Sequence, residues 1–77
     1  MINTLKLKSL LVEKGLNNEE VSKRLHISTQ SFSMKINNKR EFKTSEVLKL
    51  SLLLNLSSKD IMYIFFNNNV EFNSTKD

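Results

Sequence analysis

Apolar positions recur at helical spacing along most of the chain and mark out five short helices. Leu7, Leu10 and Leu11 form the main stripe of a first helix ending near Lys14, capped by Asn3 or Thr4 and followed by Gly15, a residue suited to a left-handed helix end. Leu5 and Val12 lie on a different side, either partly exposed or covering a neighbouring segment. Asn17 with Glu20 three residues on is a capping box that opens a second helix over 18–25, with Val21 and Leu25 inward. Ser28 caps a third helix over 29–37, with Phe32 and Ile36 inward. Thr44 is expected to cap a fourth helix reaching Leu54, with Val47, Leu50 and Leu54 as its stripe and Asn55 at its end. Ser57 and Asp60 form a second capping box before a fifth helix over 58–66.

The stretch from Asn18 to Asn37 organises the rest. His26-Ile27-Ser28 leaves only enough chain for a sharp corner between two amphipathic helices, Ile27 sits in the angle, and Ser22 is small where the helices approach. This is helix-turn-helix spacing, so the expected fold is all-α: a compact bundle of about five short helices around that unit. Phe42, after the polar loop Asn38-Lys39-Arg40-Glu41, is expected to turn inward as an anchor. The predicted domain covers 1–66. The segment 67–77 reads as a polar, flexible tail in which only Val70 and Phe72 alternate as in a strand.

Seventy-seven residues hold one core and no second domain. The absence of cysteine excludes a disulfide framework and a thiolate metal site, and no cofactor is implied. The longest apolar run, Ile61 to Phe66, is far too short to cross a bilayer, and no signal peptide is legible. These features point to the cytoplasm and away from a membrane. Charge changes the picture more. Between Lys23 and Lys49, the cations Lys23, Arg24, Lys35, Lys39, Arg40, Lys43 and Lys49 face only Glu41 and Glu46, an excess of five against a net +4 for the whole chain. Such a field draws polyanions, although a basic patch by itself is commonly a solvated surface.

At this point the residues resemble a known family, the Cro/CI-type (XRE-like) helix-turn-helix regulators of phage and prophage. The resemblance runs from Leu7 to Phe66 and rests on the Leu7–Leu10 pair, Gly15-Leu16, Asn17 to Leu25, Ile27-Ser28, the Asn37-Asn38-Lys39-Arg40 loop, and Leu50 with Leu54-Asn55-Leu56-Ser57. Three positions depart from the pattern. Leu11 and Ile36 stand where many relatives pair an arginine with a glutamate, Ser22 where alanine is usual, and His26 where glycine is usual. Histidine at a positive φ carries a strain that glycine would relieve.

The resemblance implies that the start of the third helix enters the major groove of an operator. The side chains facing away from Phe32 and Ile36 there are Thr29, Gln30, Ser33 and Met34. Gln30 pairs with adenine, Thr29 and Ser33 donate or accept, and Met34 touches a thymine methyl, which favours A·T at the centre of a half-site. Asn17, Asn18 and Asn37 fall at the family's backbone-contact positions. Lys35, Asn38, Lys39, Arg40 and Lys43 are assigned to phosphates from the character of the loop and its charge. Plainer readings stand beside these: Asn17 as a cap alone, Met34 as packing, Thr29 and Ser33 as solvated surface.

Regulators of this kind bind palindromic sites as dimers, with half-sites about 34 Å apart. No oligomerisation domain is appended here, so a dimer or partner contact falls to the nearly all-apolar fifth helix, at Ile61, Met62, Phe65 and Phe66, with Leu48 or Leu52. Two functions follow. One is a DNA-binding transcriptional regulator, Cro-like or repressor-like. The other is a small phage modulator or anti-repressor that binds a phage repressor protein with the same fold. An enzyme is a distant third, since the lone His26 has no second ligand or nucleophile beside it in the sequence.

Overall fold

A computed structural model describes residues 1–66, and the Val70–Phe72 alternation lies outside them. Five helices follow in order: α1 (Thr4–Glu13), α2 (Asn18–Leu25), α3 (Thr29–Ile36), α4 (Thr44–Leu53) and α5 (Ser58–Phe65), with no strand among the described residues. The all-α bundle expected from periodicity is the observed architecture.

Local chemistry sets the helix boundaries. Asn3, rather than Thr4, caps α1 by accepting the Lys6 N–H. The Asn17–Glu20 and Ser57–Asp60 boxes form as expected, with reciprocal bonds of 2.8–3.1 Å. Ser28 accepts the Ser31 N–H at the head of α3. At α4 the expectation fails: Lys43 occupies the cap position and Thr44 is the first helical residue. A lysine side chain has no acceptor to offer, so the Glu46 N–H bonds the Lys43 carbonyl at 2.9 Å and only the return half of a capping box forms, the Lys43 N–H donating to Glu46 Oε1 at 2.9 Å.

The first four helices end in the same way. Gly15, His26, Asn38 and Asn55 take left-handed φ values of 72°, 60°, 63° and 55°. After each, the next N–H reaches back to the helix, as in Leu16 to Leu11 O, Ile27 to Ser22 O, Lys39 to Met34 O and Leu56 to Ser51 O. This pattern satisfies carbonyls that the last turn leaves open and turns the chain sharply.

The core is built from one stripe of each helix: Leu7 and Leu11, Val21 and Leu25, Phe32 and Ile36, Leu50 and Leu54, Ile64 and Phe65. Leu11 and Ile36 are both buried in this core. Phe42 does act as an anchor, meeting Phe32 and Phe65 edge-to-face with ring centroids 5.9 Å apart in each case. Leu5 and Val12 are exposed.

Two long-range devices fasten the frame. The N-terminal segment is stitched to the end of α3, the loop after it, and α5. Asn38 Oδ1 accepts the Ile2 N–H, its Nδ2 donates to Ile2 O and Thr4 Oγ1, the Thr4 hydroxyl donates to Ile36 O, and the Asn3 N–H donates to Ile64 O. The second device is a buried ion pair: Lys35 Nζ on α3 donates to both carboxylate oxygens of Glu46 on α4 at 2.7 Å.

Candidate functional site

Helices α2 and α3 are joined by His26-Ile27-Ser28, and α2 packs more extensively on α3 than on any other helix. Ile27 is partly buried against the core, and Ser22 is almost completely enclosed at the α2–α3 contact. That contact allows close approach because Ser22 carries only a hydroxyl, which donates to Glu19 O at 2.8 Å and lies 3.2 Å from Thr29 Oγ1. The corner leaves the start of α3 uncovered. Thr29 and Gln30 are exposed, and Ser33 and Met34, one turn later, are half-buried.

The residues assigned to phosphate fall into two groups. Asn17, Lys39, Arg40 and Lys43 are exposed, and Asn18 is half-buried as the first residue of α2. Asn17 is occupied with the Glu20 N–H as a cap but remains at the surface. Asn37 is exposed just beyond α3, where its Nδ2 donates to Ser33 O and its Oδ1 accepts from Lys8 Nζ at 2.9 Å.

Lys35 and Asn38 are different, and both assignments are corrected. Lys35 is only 5% exposed and its ammonium is committed to Glu46, itself 4% exposed. The lysine follows Met34 on α3, so its side chain turns toward α4 rather than outward, and its stem packs in the interior. Asn38 spends both ends of its amide on Ile2 and Thr4, so it is a clamp for the N-terminus.

Glu46 shows the electrostatic consequence. Burial pushes its carboxyl up, but hydrogen bonds from Lys35 and the Lys43 backbone, with the charges of both lysines, outweigh it and hold its pKa below the ordinary carboxylate value. With Lys35 and Glu46 cancelling each other, the outward charge of the central segment rests on Lys23, Arg24, Lys39, Arg40, Lys43 and Lys49 against Glu41. Sequence reasoning missed Lys8 as a neighbour of α3. Its exposed position in the α1 pattern was legible, but its contact with Asn37 spans 29 residues and no local signal reports it.

The expected partner face is also divided. Phe65 is 8% exposed and belongs to the core, packed on Phe42, so it is withdrawn from any contact surface. Ile61 is half-buried, while Met62 and Phe66 remain exposed together with Tyr63, Leu48 and Leu52. Phe66 lines an open cavity of about 450 Å³, whose apolar wall includes Phe42, Val47 and Phe65 and whose cationic wall includes Lys39 and Arg40. Among the described residues, no cluster of three or more acidic or histidine side chains gathers as a metal site, and no helix is long and apolar enough to cross a membrane.

No curated protein and no solved structure matches this sequence. Residues 3–68, which include all five helices, match the family described as "Protein of unknown function (DUF739)", and the chain belongs to that family.

Proposed function

We propose that this chain is a sequence-specific double-stranded DNA-binding transcriptional regulator, Cro-like or repressor-like, of a phage or prophage. It acts in the bacterial cytoplasm by placing α3 in the major groove of an operator. The observation that carries this reading is an exposed polar start to α3, with cations that have no ion-pair partner among the described residues following its other end. Thr29 and Gln30 are exposed, and Lys39, Arg40 and Lys43 follow the far end of the same helix. Short polar side chains suit base edges, and exposed lysines and arginines suit phosphates. A dimer on a palindromic site extends the same reading.

The test is selection from a randomised duplex pool, followed by titration of the selected site. Gln30→Ala should relax preference at one base pair and weaken binding about 5- to 150-fold. Lys39→Ala should weaken all sequences alike and reduce the salt slope by about one unit. A chain that enriches no duplex at low salt overturns the proposal.

One observation favours a second reading. Withdrawal of Lys35 leaves the outward face of α3 without charge, while Met62, Tyr63, Phe66, Leu48 and Leu52 remain uncovered. A protein-interaction module, a small phage modulator that binds another regulator, would use such surfaces. Regulation that survives Gln30→Ala combined with Lys39→Ala would select this reading over the first.

A further inference from the structure

Two hydroxyl groups at the α2–α3 contact fix what the head of α3 can offer a ligand. Ser22 Oγ lies 2.8 Å from Glu19 O and 3.2 Å from Thr29 Oγ1. A carbonyl oxygen has no proton, so the short contact to Glu19 requires the Ser22 proton to point there. Ser22 has no second proton. It therefore meets Thr29 with a lone pair, and the proton in that contact belongs to Thr29. Ser22 is 1% exposed, which keeps water from competing for the arrangement, whereas Thr29 is open to solvent on its other side.

We infer that Ser22 is a positioning residue that turns the Thr29 hydroxyl proton inward, so that Thr29 presents only acceptor lone pairs and a methyl group to its ligand. This deepens the DNA reading and rests on it. In a major groove, an acceptor finds a partner only at the exocyclic amino groups of adenine and cytosine. Guanine O6 and N7, adenine N7 and thymine O4 are themselves acceptors and cannot bond to this hydroxyl. Without Ser22, Thr29 would be free to donate to any of them. Gln30, exposed and carrying both a donor and an acceptor, is under no such restriction. Adjacent positions of one helix thus differ in the polarity of the base edge they accept.

The experiment pairs side-chain changes with single-group deletions in the selected duplex. At the base pair that responds to Thr29→Val, purine is substituted for adenine, or pyrimidin-2-one for cytosine, to remove the amino group. In parallel, 7-deaza purines remove the N7 acceptor. Wild-type protein should lose about fivefold on amino deletion and nothing on N7 deletion, taking the lower end of a specific base contact. Thr29→Ser should retain that loss and Thr29→Val should abolish it. Ser22→Ala should shrink the amino effect and create sensitivity to N7, with the Gln30-facing pair unchanged. Coupling of wild-type Thr29 to N7, or to no base group, overturns the inference while leaving DNA binding intact. A wild-type chain that selects no duplex defeats the underlying DNA reading and the base assignment with it. Three-bond couplings to the Thr29 methyl supply an arm independent of DNA. They should report one χ1 rotamer in the wild type and averaging in Ser22→Ala, and averaging in the wild type overturns the inference whatever the protein binds.

Discussion

Removing one member of the Lys35–Glu46 pair should destabilise the fold more than almost any other single polar change, because its charged partner stays behind in the interior. Both side chains are 6% exposed, and the ammonium lies 2.7 Å from each carboxylate oxygen. Breaking a buried pair on one side costs about 3–5 kcal/mol, whereas replacing both members with apolar groups of similar volume is about neutral or stabilising. A domain of this size is held by only about 0.05–0.15 kcal/mol per residue, so the single change removes a large fraction of the total. Glu46→Ala also strips the acceptor from the Lys43 N–H, adding about 1 kcal/mol. With a urea slope of about 1 kcal/mol/M, the midpoint of Glu46→Ala should fall by about 4 M or more, which leaves the variant close to unfolded in water. Lys35→Met should cost less, since the Glu46 carboxyl keeps the Lys43 N–H and can take up a proton. The double variant Lys35→Met with Glu46→Leu should return to within about 1 kcal/mol of the wild type or exceed it. Urea unfolding followed by circular dichroism on the wild type, Lys35→Met, Glu46→Leu and the double variant measures the coupling, expected at about 2 kcal/mol or more. A coupling below about 0.5 kcal/mol would show that water screens the pair and that the burial argument is wrong.

The same pair makes a pH prediction. A depressed carboxyl pKa contributes stability that is fully present above the unfolded-state value and is lost as pH falls through the folded value, so wild-type stability should drop on acidification below the ordinary carboxylate range. Lys35→Met should flatten that drop in acid titrations of the urea midpoint, and an unchanged slope would count against the assignment to Glu46. At the α2–α3 corner, His26 is exposed and sits at φ 60°, with no side-chain hydrogen bond to another described residue. His26→Gly should raise the melting temperature by about 2–4 °C, the relief of left-handed strain exceeding the unfolded-state entropy of glycine by about 0.5 kcal/mol. No change or a fall in a calorimetric scan would refute the strain. Asn38→Gly, at nearly the same φ of 63°, should do the opposite and cost about 1–2 kcal/mol, because three side-chain hydrogen bonds to Ile2 and Thr4 disappear. Equal behaviour of the two glycine variants in thermal melts would mean that the N-terminal clamp contributes nothing.

The helices, their order and most of the core were legible from residue order, because the signals are local. The 3.6-residue period of Val21 and Leu25, or of Phe32 and Ile36, and the boxes at Asn17–Glu20 and Ser57–Asp60 act within one or two turns. The left-handed ends at Gly15 and Asn55 are equally local, and His26 adopts the strained geometry expected from its place in the turn. What the tertiary structure alone decided is the destination of polar side chains whose partners lie far along the chain. Lys35 looks like a surface cation in a basic stretch until α4 brings Glu46 against it, eleven residues on. Asn38 looks like part of an exposed loop until the N-terminus, 36 residues away, closes onto its amide. Phe65 and Phe66 are neighbours of one residue type, yet one is 8% exposed and stacked edge-to-face on Phe42, while the other is 41% exposed. Local order sets which atoms a residue carries and the side of its helix it faces. Whether that side meets water, a charge or another ring depends on packing between elements, which no window of a few residues contains.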